Sequence, residues 1–474
     1  GIRFSLAHDA AHARKGGSMP DCEVFGAPSE DACSQARRLC SFIQASPSAF
    51  HAVDEITSRL RDVGFRYLPE NAAWSMEPGG CYFTTRNASS VITWRIGDNM
   101  PEDGYHFQIA ASHSDSPAFK VKDAAELSAP GNALRLNVEA YGGMIDYTWF
   151  DRPLGLAGRV MVRDGSRIES RLLFIDRPVA LIPSVAIHMN REVNKGFAPD
   201  RQVDACPLFS AGALGAGSFD AFLAGELGVD PAQIVGRDVF LVSLEAARIW
   251  GAADEFVSAP RLDDLMCAHA SLEAFLSAKQ NGCVSVYCCF DNEEVGSNTK
   301  QGAMSTMLRD VLERINDALG FSWQDLRRAL AASMMASCDN AHAVHPNHPE
   351  KADEGNRCFL NGGIVVKEAA NQAYCTDAFS RAVFTGICAD AGVPVQRFAN
   401  KSNMAGGSTL GNLSNIQASM HAVDIGCPQI AMHSSYETAG VLDALYARRA
   451  LEAFFETDIR IDASSATLVS PQEA

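Results

Sequence analysis

No C-x-x-C pair occurs in this chain of 474 residues, although it carries 14 cysteines. That removes support for a zinc ribbon or a thioredoxin-type redox motif. The thiols are scattered, with Cys288 and Cys289 adjacent, a pattern suited to a reducing, cytoplasmic compartment rather than a disulfide scaffold. H-E-x-x-H is missing too, so the single-zinc protease built on one helix is excluded. No apolar run approaches the roughly 20 residues that cross a bilayer as a helix. Positive charge is scarce: 40 Lys and Arg stand against 57 Asp and Glu, a net charge of −17. This balance argues against nucleic acid or an anionic membrane as partner. There is no internal repeat and no low-complexity segment.

What is present suffices for two or three domains with real cores, since 47% of the residues are hydrophobic. Residues 1–18 differ from the rest. Arg3, Arg14, Lys15 and two histidines precede a Gly16-Gly17-Ser18 linker, without the apolar core of a secretory signal. They read as a vector-derived or upstream-start leader, with a weak organelle-targeting segment as the alternative. Apolar spacing predicts helices over 32–43 and 50–63, with Ser46-Pro47-Ser48 as break and cap. Short strands follow at 80–84, 90–96 and 107–111. From 118 to 247, Gly, Pro and short β-type runs such as 158–162 and 171–174 replace helical periodicity. After 248, helices at 261–279, 304–319 and 323–331 alternate with strands at 283–290 and 428–432. Such alternation favours an α/β sheet between helices. The expected plan is a catalytic α/β domain in two parts, 19–117 and 248–474, split by an inserted β-rich domain at 118–247.

The stretch Phe290-Asp291-Asn292-Glu293-Glu294-Val295-Gly296-Ser297 follows the alternating run Val284, Val286, Cys288, Phe290. Two adjacent carboxylates past a strand end repel unless something positive lies near them. A metal ion with a water to be deprotonated would use both, one as ligand and one as general base. Alone, the pair is equally a solvated turn. Other runs also end in ligand types: His113 after 107–112, Asp339 after 333–338 and His433 after 430–432, while Asp263 opens a helix. Ligands gather outside the carboxyl ends of strands in open α/β sheets. Singly, His113 and His433 read as hydrogen-bonded loop residues, Asp263 as a helix N-terminal charge and Asp339 as a turn residue. Jointly, His113, Asp263, Glu294, Asp339 and His433 make five ligands for two zinc ions with one carboxylate shared and a position open to water. Asp115 could accept the other ring N–H of His113, which leaves Glu293 as the base. Histidines 342, 345 and 348 compete as a metal site, but Pro346 and Pro349 break the segment, which reads as a site-shaping loop. Gly406-Gly407-Ser408-Thr409 lacks the lysine and spacing of a phosphate-binding P-loop.

Further motifs stand in order along the chain: Ala111-Ser112-His113-Ser114-Asp115-Ser116-Pro117, Trp149-Phe150-Asp151-Arg152, Ala186-Ile187-His188-Met189-Asn190-Arg191, Ala259 to Asp264, Asp339-Asn340-Ala341-His342-Ala343-Val344-His345-Pro346-Asn347, Gly406 to Gly411, and Ala431-Met432-His433-Ser434. With them the chain resembles the aspartyl aminopeptidase family of two-zinc metallopeptidases from about residue 38 onward. The resemblance implies that Asp263 bridges the metals and that Glu293 is the general base. It implies that His188 reaches a neighbouring subunit's site and steadies the tetrahedral intermediate. It further implies that Lys367 and Tyr374 hold an acidic substrate side chain. The implied assembly is a tetrahedral dodecamer built from dimers. The implied reaction removes N-terminal Asp or Glu from peptides. Departures are Asp264 where many relatives have Asn, Ala373 where many have Arg, and Tyr436 in place of a frequent Arg; Glu437 is kept. Manganese or cobalt would suit one of the two positions by ligand type. The alternatives are a two-metal aminopeptidase for neutral residues, a related deacylase or carboxypeptidase, and a non-catalytic shell protein with a vestigial metal site. A free Glu293 beside the ligands argues against the last.

Overall fold

Strands Phe107–His113 and Val284–Phe290 are buried at every position, as parallel strands covered on both faces must be. Their period of two sorts side chains between two layers. Phe107, Ile109, Ala111, Val284, Val286 and Phe290 pack against Met307, Leu308, Val311 and Leu312 of helix Met307–Ala318. Ala110, Tyr287 and Cys289 face the other way, onto helices Glu30–Gln44, Leu262–Ser277 and Val441–Glu456. The result is a mixed α/β fold with a nine-stranded sheet between helical layers. This computed structural model describes residues 27–470 except 99, 102 and 103; the expected leader at 1–18 lies outside them.

Local chemistry sets the helix starts. Ser29 accepts from the Ala32 amide at 3.2 Å and opens Glu30–Gln44, and Ser48 caps Ala49–Asp62 in the same manner. Within the large sheet, strands Val284–Phe290, Phe107–His113, Met334–Cys338 and His421–Gly426 run side by side and parallel. Their carboxyl ends therefore open onto one edge.

A second sheet of six strands is drawn from residues 118–243. Phe119, Val138, Leu156, Val160 and Leu241 form its core with Phe219 and Leu223. The last two belong to helix Ser218–Leu227, which the β-type texture of this region hid. Glycines at both of its ends, Gly217 and Gly228, take left-handed conformations and isolate it. A third sheet of five short strands holds Phe256–Ala259, Glu437–Gly440 and Pro428–Ile430. The run expected at 428–432 thus stops at Ile430 and does not enter the large sheet. The loop after residue 141 returns to the small sheet: the Ile145 amide donates to the His433 carbonyl at 3.0 Å, and the Ser435 amide to Thr148 Oγ1 at 2.9 Å.

Candidate functional site

Four segments meet at the open edge of the large sheet. His113 ends one central strand, and Glu293 and Glu294 lie in a short turn after its parallel neighbour. Asp339 follows Met334–Cys338, and Asp263 stands at the start of Leu262–Ser277. His433 comes from the small sheet. His113 Nε2 lies 3.2 Å from Asp263 Oδ1 and 3.5 Å from Asp339 Oδ1. His433 Nε2 lies 3.1 Å from Asp263 Oδ2 and 3.1 Å from Glu294 Oε2. Asp263 therefore turns one oxygen to each imidazole, and the donors fall into three overlapping groups: His113 with Asp263, Asp264 and Asp339, Asp263 with Glu294 and His433, and His113 with Glu293 and Glu294; the first two have the Asp263 carboxylate in common. Glu293 Oε2 lies 3.7 Å from His113 Nε2, beside the first group.

The residues fit bound metal on chemical grounds. His113 Nε2, Asp263 Oδ1 and Glu294 Oε1 are buried without a hydrogen-bond partner among the described residues. Buried polar atoms are rarely left so unless something else satisfies them. Carboxylates also outnumber imidazoles, so negative charge is left over where most of the donors are buried or half-buried. Burial and the Asp339 carboxylate push Glu293 well above the usual carboxylate range. Burial and Asp263 raise Glu294 to about 8. Asp263, despite its burial, is held well below the ordinary value by His113 and His433. His433 rises to about 11 because its bonds to Asp263 and Glu294 outweigh burial.

A second ring of contacts fixes these groups. Asp115 accepts from His113 Nδ1 at 3.2 Å, from Tyr141 Oη at 2.6 Å, and from the Glu293 and Glu294 amides at 3.2 and 3.1 Å. One carboxylate thus orients the histidine and holds the double-glutamate turn. Glu437 accepts from the Asp263 amide at 3.0 Å and the His433 amide at 2.7 Å, which ties the two ends of the shared-carboxylate group together. Sequence reasoning noted Glu437 without a role and missed Tyr141; a lone tyrosine in a β-rich segment carries no signal for this contact. Arg261, Asn292, Ala431 and His433 all have positive φ, between 57° and 69°. Such non-glycine conformations cluster where a turn must aim a functional side chain. The peptide joining Asp263 to Asp264 is cis.

The other expected site residues stand apart from this cluster or behind it. Lys367 is 1% exposed, with Nζ donating to the Asp339 carbonyl at 2.8 Å and lying 5.0 Å from the Tyr374 ring centre. Tyr374 is buried as well. His188 is exposed in the turns after strand Arg167–Ala180 and is not among the donors gathered here. The competing histidines 342, 345 and 348 are all exposed.

Comparison with known proteins places this geometry. Residues 42–455 match the family described as "Aminopeptidase I zinc metalloprotease (M18)". A probable M18 family aminopeptidase 2 of Clostridium novyi is 44% identical over 429 residues, which cover 89% of this chain and 98% of that protein. Among solved structures, one of the Ape4 and Nbr1 complex superposes with a TM-score of 0.87 at 35% identity, over 91% of this chain and 87% of that one. The mApe1 dodecamer of S. cerevisiae gives 0.78 at 26% identity, over 89% and 96%.

Proposed function

The chain belongs to the aminopeptidase I zinc metalloprotease (M18) family, and from that premise we propose that it removes N-terminal Asp or Glu from peptides at a two-zinc centre inside a homo-oligomer. The observation that carries the two-metal reading is the sharing of Asp263 between His113 and His433, with unpartnered buried atoms on each side. In this reading His113 and Asp339 hold one ion, His433 and Glu294 the other, and Asp263 both. Zinc bound there polarises the scissile carbonyl and makes a water more acidic.

The chain's own groups do the rest. Glu293, next to the ligands but not needed as one, takes the proton of the attacking water and returns it to the leaving amine. Asp115 keeps His113 in the tautomer whose Nε2 faces the cluster. The surplus of carboxylates at the cluster favours a positively charged substrate α-amine, which selects a free N-terminus. Lys367, paired with Tyr374, supplies the positive charge that attracts an acidic first side chain. His188, on its exposed loop, serves a neighbouring subunit's site, and segment 118–247 carries the dimer contact. A relative solved as a dodecamer supports this assembly.

One observation favours a second reading. The Lys367 ammonium already donates to the Asp339 carbonyl, so it could position that ligand without meeting substrate, and the enzyme would then accept neutral residues. Side-by-side cleavage of Asp-, Glu-, Ala- and Leu-peptides by the wild type and Lys367→Met separates the two. The proposal expects the variant to lose acidic substrates far more than neutral ones. Equal loss on both assigns Lys367 to positioning and removes the acidic pocket.

A further inference from the structure

Beside the cluster, bordered by Asp115, Ser116, Asn292 and Asp263, lies a cavity of about 360 Å³. It sits between the six-stranded sheet and the catalytic side, and none of the metal-facing imidazoles lines it. Its size falls within the range of small-molecule sites, and its walls have their usual character, mostly apolar with a few polar groups at the ends. Pro47, Phe50, Pro117, Trp149, Phe240 and Val242 form the apolar part. Asp115, Asp263 and Glu437, all buried, lie at the inner end.

The outer end is positively charged in a chain whose net charge is −17. Lys120, Arg159 and Lys300 line it, with Asp238 as the carboxylate among them; Arg261, the fourth cation of the lining, is turned to the Ser46 and Ile43 carbonyls. Lys120 Nζ and Arg159 Nε share Asp238, at 2.8 and 2.9 Å. Lys300 Nζ meets only amide oxygens, those of Asn87 at 2.8 Å and Gln301 at 3.0 Å, among its printed contacts. Aromatic faces brace two of the cations: Arg159 lies 4.4 Å from the Phe50 ring centre and Lys120 5.8 Å from that of Phe240. The remaining acids are engaged elsewhere. Asp115 accepts from the Glu293 and Glu294 amides, Asp291 from the Asn292 amide, Glu437 from the Asp263 and His433 amides, and Asp263 faces the two imidazoles. At this end three cations meet one carboxylate, and Lys300 has no acidic partner among the described residues, so the mouth of the chamber selects a ligand with an apolar body and one negative head.

We propose that this cavity is an accessory site for a small amphipathic carboxylate, held by Lys120, Arg159 and Lys300. The body fills the space against Phe50, Trp149 and Phe240, and the head stays near solvent. The wall opposite the head is Asp115 and Ser116; Ser116 Oγ donates to the Asp263 carbonyl at 2.9 Å. Occupancy therefore bears on the groups that orient the metal ligands. The carboxylate could belong to a free amino acid, as this reaction class releases, or to a plain carboxylic acid.

The test uses zinc-loaded protein and three probes that share one ring: 3-phenylpropionate, phenylalanine and 3-phenylpropanamide. Calorimetric titration is expected to show 3-phenylpropionate binding, the amide about tenfold weaker or worse, and a similar loss in Lys120→Met and Lys300→Met, since each removes a charge-assisted contact. Kinetics should show an effect on turnover that excess peptide does not relieve. Tighter binding of phenylalanine assigns the natural source to amino acids, and weaker binding to plain acids; either supports the site. Crystals soaked with 3-(4-bromophenyl)propionate should show bromine inside the cavity. Binding unchanged in both lysine variants, inhibition competitive with peptide, bromine at the metal cluster, or no binding at millimolar concentration each overturns the proposal. Lys300 is exposed, so its variant carries the test if Lys120→Met does not fold.

Discussion

Replacing Asp115 by alanine would free the His113 ring, the Tyr141 hydroxyl and the Glu293 and Glu294 amides together. Outer-shell partners of this kind typically matter 10–100-fold to metal affinity or activity. Asp115→Ala is expected to lose at least about that much kcat/KM and to retain zinc less firmly, whereas Asp115→Asn, which keeps an acceptor, should lose less. Metal analysis after dialysis and initial rates would check both. Glu293→Gln should separate the two properties: zinc content near the wild type, with turnover down by about 10²–10⁴ or more, the usual contribution of a general acid–base group. Near-normal turnover in that variant would remove Glu293 as the base. Residues of this kind were legible because carboxylates and imidazoles at strand ends have no solvation reason to be there. Glu437 was not, because its work is to accept backbone amides from Asp263 and His433, a contact that exists only once two distant turns have met.

Strands and helices were read nearly to the residue where the pattern was long and one-sided. The expected helix at 323–331 is the observed Trp323–Ala331, and the expected strand at 90–96 is Ser90–Ile96. The run at 428–432 misled because three or four apolar residues cannot say which sheet they join. His433 reaches the centre from a different sheet, through left-handed residues at Ala431 and His433, which no periodicity announces. Sheet packing also explains one glycine. A Cβ on Gly426 would lie 1.8 Å from the Asp339 carbonyl oxygen, so alanine there must pry strand His421–Gly426 from the end of Met334–Cys338. Gly426→Ala is expected to lower the melting temperature and to cost activity beyond that, through Asp339. A variant with wild-type stability and rate would show that this edge yields.

At the scale of the molecule, buried charge sets two responses. Stripping zinc with a chelator leaves Asp263, Asp339, Glu293 and Glu294 facing one another. Melting should fall by several degrees and recover with added zinc, because a ligand of the folded state alone stabilises it by mass action. Acid should act through His269 and His51. Burial, aided by Arg59, Arg38 and Arg448, holds the first down to about 3, and burial with Arg261 holds the second down to about 4. The unfolded chain takes up these protons near pH 6.5 and the folded chain does not. Their contribution is thus complete above about 6.5 and is lost as pH falls toward 3, by about 1.4 kcal/mol per unit for each. Urea midpoints at pH 7.5, 6 and 5 should fall less steeply in His269→Gln; parallel curves would refute this.

The side chains of the proposed metal centre are also spread widely in time. His433 leaves the ribosome 320 residues after His113, an interval on the order of tens of seconds at ordinary synthesis rates. Throughout it the nascent polypeptide lacks half of the shared grip on Asp263. On the proposed two-zinc reading, a chain with this order of parts has no complete centre until most of its length is made.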